Sequence, residues 1–144
     1  DVAVEDLFDL LQIYLKERRY EEASRLFDKS TLEKKRSLEG VIPGLDGKQR
    51  VSILSYMGRG IILAHQDQAE KSNEVFRQLI KDHGVGLIPK KKDGPLPKSV
   101  LDLFFNSKPA VEWRRGVSEA IERNARNQNG KVPDDLNRLR IVPS

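Results

Sequence analysis

Residues 7–30 and 56–79 each carry apolar side chains at helical spacing in a helix–turn–helix layout, and this repeated pattern constrains the fold more than any other feature. Leu7, Leu10, Leu11 and Tyr14 fall at i, i+3, i+4 and i+7, one face of a helix over residues 3–16. Ala23, Leu26 and Phe27 continue the stripe over 20–29, with Glu21, Glu22 and Arg25 opposite and Glu17–Arg18–Arg19 as the turn. Further along, a helix is expected from Asp46 or Gly47 to about His65. After a Gln–Asp turn, another follows over 68–82 with Ala69, Ser72, Phe76, Leu79 and Ile80 facing inward.

Between and after these pairs the periodicity breaks. Ser30 and Glu33 read as a capping box that opens a short helix over 31–39. Three glycines and a proline between Gly40 and Gly47 then make a loop. Residues 83–97 combine glycines, prolines and Lys90–Lys91–Lys92, the composition of a connector. A short apolar helix is predicted from Pro97 through Phe105, and a longer one over about 109–127 with Ala110, Trp113, Val117, Ala120 and Ile121 as its stripe. Trp113 shares that stripe, so core packing is its expected role. Residues 128–144 read as a polar tail in which Val132–Leu136 can nucleate one more turn.

Composition agrees with an all-α chain. Of 144 residues 38% are apolar and 33% charged, the balance of solvated helices that each bury one stripe. The net charge of +4 is uneven: residues 1–80 carry −1 and 81–144 carry +5. Acidic residues interleave with the basic ones almost everywhere except Lys90–Lys92, so nucleic-acid binding is not the favoured function. There is no cysteine, which excludes disulfides and thiolate chemistry and leaves the redox compartment unread. No apolar run approaches the roughly 20 residues of a membrane-spanning helix. The acidic start, with neither a basic n-region nor an initiator Met, leads us to expect a mature product or a domain of a longer protein.

The two pairs resemble tetratricopeptide repeats. In the first, Leu7, Leu10, Leu11 and Tyr14 match the first helix of that motif, and Tyr20, Ala23, Phe27 and Ser30 the second. In the second, Tyr56, Arg59, Gly60 and Leu63 are followed by Ala69, Ser72, Phe76 and Leu79. Gly60 stands where the family places its glycine, while Arg59 and Ala69 replace the usual leucine and tyrosine. Tandem repeats recur every 34 residues or so, yet Leu7 and Tyr56 stand 49 apart, so the joint across 31–47 is extended. The order of hairpin, long joint, hairpin and Pro-rich stretch is similar to that of bacterial envelope-associated or regulatory proteins, which implies a periplasmic or envelope setting in preference to a cytoplasmic one.

The resemblance implies two tetratricopeptide-like antiparallel hairpins (repeats at about 5–38 and 54–84) in an α-α superhelix, closed by C-terminal capping helices over 98–127. It also implies a non-catalytic scaffold without cofactor that binds a peptide or helical segment of a partner protein. The concave face would present Glu5, Phe8, Gln12, Leu15 and Lys16 from the first repeat and Leu54, Met57, Ile61, Ala64 and His65 from the second. Five of these are large and apolar, which suits a hydrophobic ligand. Phe8 and Gln12 stand where a carboxylate-clamp subclass uses Lys and Asn, so that subclass is not expected. A filled groove, occupied by the chain's own C-terminal helix, is the competing possibility.

Two other functional classes stay open. One is contact with an anionic partner or nucleic acid through Lys90, Lys91, Lys92, Arg114, Arg115, Arg123 and Arg126; the other is an accessory domain of an enzyme or secretion machine. The Gly47–Lys48 pair lacks the glycine five residues earlier and the following Ser or Thr of a phosphate loop. His65 and His83 lack a second ligand at i+3 or i+4, so neither is expected to bind metal. No carboxylate pair stands isolated for acid–base chemistry.

Overall fold

The computed structural model describes residues 4–34, 45–84 and 99–140, and every regular element among them is helical. Helix α1 (Val4–Lys16) is followed by α2 (Tyr20–Leu26) and the short α3 (Lys29–Glu33). Then come α4 (Gly47–His65), α5 (Ala69–His83), α6 (Val100–Phe105) and α7 (Val111–Arg126). Single 3₁₀ segments cover Lys108–Ala110 and Asp134–Leu139.

The two hairpin turns are built alike. After α1, the Arg18 N–H donates to Leu15 O and the Arg19 N–H to Tyr14 O; after α4, the Asp67 N–H donates to Ala64 O and the Gln68 N–H to Leu63 O. This is the Schellman pattern, which needs a left-handed residue just past the helix. Arg18 and Asp67 fill that position, each at φ 59°. The equivalent residues are 49 apart in the sequence, the same offset that relates Phe27 to Phe76.

Helix α4 is central, and two glycines make it so. Gly58 lies under the ring of Phe27 and Gly60 under the ring of Phe76, so closely that a Cβ on either would overlap the ring. Each interior glycine costs a helix about 1 kcal/mol relative to alanine; here both admit a fully buried phenylalanine. The N-terminus of α4 is fixed by a capping box, with the Gln49 N–H donating to Asp46 Oδ1 (2.8 Å) and the Asp46 N–H to Gln49 Oε1 (3.1 Å).

Helix α7 lies across the first helices of both hairpins. Trp113 is fully buried and meets Phe8 and Phe27 edge-on, with ring centroids at 5.2 and 5.3 Å. One turn later Gly116 brings the α7 backbone against Phe8 and Ile61; a Cβ there would stand 2.6 Å from Phe8 Cε1. Near its C-terminal end Asn124 Nδ2 donates to Ser72 Oγ and Asn73 Oδ1, both at 2.9 Å, while Ser72 Oγ donates to Gly60 O at 2.6 Å. This buried polar chain sets the register of α7 against α4 and α5, because a slip would strand several polar groups without water.

Several sequence expectations change. Phe8, Leu15, Leu54, Met57, Ile61 and Ala64 form part of the core, none more than 7% exposed, because α7 covers the face they share. Ser30 does not cap a helix; it sits inside α3, whose N-cap is Asp28, and donates its hydroxyl to that carboxylate. Ser99, capped reciprocally with Asp102, starts α6 where Pro97 was expected to. The polar tail folds back in part: Leu136 and Leu139 are fully buried, Arg77 Nε pairs with Asp135 Oδ2 at 2.7 Å, and Arg140 Nη2 with Glu122 Oε1 at 3.0 Å. The Glu5 side chain, the end of the helix expected over 31–39 and Lys90–Lys92 with their connector lie outside the described residues.

Candidate interaction cleft

The C-terminal end of α1 and the C-terminal half of α7 leave an opening between them, floored by the end of α4. Arg123 anchors α7 to the second hairpin turn: its Nε donates to Ala64 O at 3.1 Å and its Nη2 to Asp67 Oδ1 at 3.3 Å. Asn127 Nδ2 reaches the same Asp67 oxygen at 3.2 Å. Two cavities result. One, about 640 Å³, is bordered by Leu15, Lys16, Arg18 and Tyr20 on the first hairpin and by Gln66, Asp67 and Gln68 on the second. The other, about 230 Å³, lies between Gln12 and Ile61 on one side and Gly116, Glu119, Glu122 and Arg126 on the other. His65 and Arg123 line both, so the two are contiguous.

Electrostatics differ between the halves. The larger cavity gathers Lys16, Arg18 and Arg123 around one carboxylate, Asp67, which Arg123 already engages. Along the smaller one, α7 interleaves Glu119 and Glu122 with Arg123 and Arg126, so the charges balance. His65 is half buried; desolvation first, and then the charge of Arg123, hold its imidazole below the ordinary pKa, with Asp67 opposing. The shift favours the neutral imidazole, which can both donate and accept a hydrogen bond.

Of the residues expected to bind a partner, Gln12, Lys16 and His65 reach this opening, and Leu15 and Ile61 touch it from the core. Phe8, Leu54 and Met57 do not. The basic residues of α7 do not form one patch: Arg114 and Arg123 are nine residues apart, about two and a half turns and so on opposite sides of the helix. Arg115 pairs with Glu112 at 3.4 Å, and Arg114 stacks over Phe105 at 5.8 Å.

Arg18, Gln66, Gln68 and Asp67 were not singled out in the sequence, since as turn residues they carry no periodic signal. The signal that locates α7 on the groove was present in Gly116, which lies on one face with Trp113 and Ala120 at helical spacing.

A second polar cluster joins the other ends of α4 and α5. Tyr56 donates its hydroxyl to Asp82, whose second oxygen accepts from Gln78 Nε2 at 2.7 Å, and His83 Nε2 lies 2.8 Å from Ser52 Oγ. Both Asp82 oxygens are thus engaged away from the His83–Ser52 pair. Burial and the Asp82 contact push the Tyr56 phenol up to about 12.

Comparison with models of known protein families, with curated proteins and with solved structures returned no match to this chain.

Proposed function

We propose that this chain is a non-catalytic protein-interaction module built on two tetratricopeptide-like hairpins, whose ligand contacts the cleft at the hairpin turns and not the apolar face. The equivalence of the two turns, down to the left-handed Arg18 and Asp67, carries the reading. Phe27 and Phe76, separated by the same offset as the turns, are both buried against α4 and support it, Phe76 on Gly60 within one helix pair and Phe27 on Gly58 across the two. Helix α7 occupies the position a groove-bound helix of a partner would take, and at the two turns the described residues leave open the cleft lined by Lys16, Arg18, His65 and Arg123.

Selection of displayed random peptides on the purified chain tests the proposal. Peptides should be enriched that compete with one another and that lose binding when cleft residues are changed. If no peptide is enriched while an oligonucleotide binds at about 0.15 M salt, the anionic-polymer reading replaces this one.

A further inference from the structure

We infer that the cleft takes an extended acidic peptide segment, with its carboxylates in the larger cavity over Lys16 and Arg18. This rests on the protein-interaction reading above and specifies its ligand. Lys16, Arg18 and Arg126 form no ion pair among the described residues. Two of the three, Lys16 and Arg18, border the larger cavity beside Arg123, where Asp67 is the only carboxylate on the wall among the described residues. That cavity carries an uncompensated positive charge, which favours an anionic occupant.

The rest of the wall indicates which anion. Gln12, Gln66 and Gln68 line the two cavities, and their side-chain amides have no hydrogen-bond partner among the described residues. Each offers one acceptor and two donors, the complement of a peptide backbone that runs past them with unpaired N–H and C=O groups. A nucleic-acid strand fits less well. Its regularly spaced phosphates would pass from Lys16 and Arg18 onto Glu119 and Glu122 in the smaller cavity. A peptide can place carboxylates at one end and neutral polar groups at the other.

Arg18 allows a test in which loss of binding cannot be loss of folding. Among the described residues its side chain forms no ion pair, and its left-handed backbone is one that glycine adopts more easily. Arg18→Gly should therefore keep or raise the melting temperature while weakening the ligand. The probe is a short fluorescein-labelled peptide rich in Asp and Glu, followed by anisotropy at low salt, alongside its Asn/Gln counterpart and a single-stranded oligonucleotide.

The acidic peptide should bind at least about tenfold more tightly than the amide peptide, and weaken about tenfold with Arg18→Gly and further with Lys16→Glu. Raised salt should weaken it too. Equal affinity for the two peptides, indifference to Arg18→Gly and Lys16→Glu, absence of acidic-peptide binding, or tighter binding of the oligonucleotide each overturns the inference. If the display selection instead enriches non-acidic peptides that ignore these two variants, the acidic specificity falls and the interaction module stands. If it enriches none, the wider reading falls as well.

Discussion

Phe76 lays its ring directly on the backbone of Gly60, and the same contact recurs between Phe27 and Gly58. Both phenylalanines are fully buried. Phe27→Ala or Phe76→Ala should each cost about 3–5 kcal/mol, and Gly60→Leu should also destabilise despite leucine's better helix propensity, because the ring has nowhere to retreat. Urea titration measures all three; a midpoint unchanged in both alanine variants would falsify the packing described.

Met57 and Ile61 are buried on α4, at 0% and 2% exposure, and Gly116 of α7 packs against Ile61. Met57→Asp together with Ile61→Asp should unfold the chain, since a buried unpaired carboxylate has no way to recover its hydration. Gln12→Asp, on the exposed side of α1, should leave helicity intact. Circular dichroism of the two variants separates them, and a folded double variant would mean that α7 leaves the groove in solution.

Asn124 completes a buried chain with Ser72 and Asn73. Asn124→Ala should cost about 1–3 kcal/mol because its neighbours lose their partner inside the core. If thermal melting of Asn124→Ala matches the parent, water must replace the lost amide.

Stability should vary with pH on both flanks. The folded-state pKa values of His65 and His83 are lowered, chiefly by burial, so the unfolded chain binds protons first as pH falls below about 6.5. Their contribution is present above that value and lost progressively below it. Tyr56 has the opposite sign: raised to about 12, it supports the fold fully below pH 10 and loses that support between about 10 and 12. Tyr56→Phe should flatten the alkaline flank of a melting-temperature profile; because the same hydroxyl holds the Asp82 carboxyl below its ordinary pKa, the variant should also weaken the acid limb at carboxylate pH while leaving the histidine step near 6.5 in place.

The helices were legible in the sequence because helical periodicity records which side of each is apolar. Leu7, Leu11, Ala23, Phe27, Phe76 and Leu79 are all buried as their spacing indicates. The long α4 was legible from its start at Asp46 or Gly47 to about His65, and Asp46 is its N-cap. What periodicity does not record is the identity of the covering surface. Phe8, Met57 and Ile61 have the same spacing whether an external peptide or α7 lies on them, and only the close backbone approach at Gly116 distinguishes the two. The cleft escaped notice for another reason. It draws Lys16 with Arg18, Gln66, and Arg123 from three separate places in the chain, and only the packing of α7 beside the two turns brings them together.

The course of α7 over both hairpins bears on how such a chain can grow. An open stack of identical hairpins can gain or lose a unit by duplication or deletion, since each contacts only its neighbours. Here Trp113 is wedged between Phe8 and Phe27 in the first hairpin while Asn124 is bonded to Ser72 and Asn73 in the second. One helix thus measures the distance between the two units. A helical pair inserted between them would pull those anchors apart, so α7 fixes how far α1 and α2 can stand from α4 and α5.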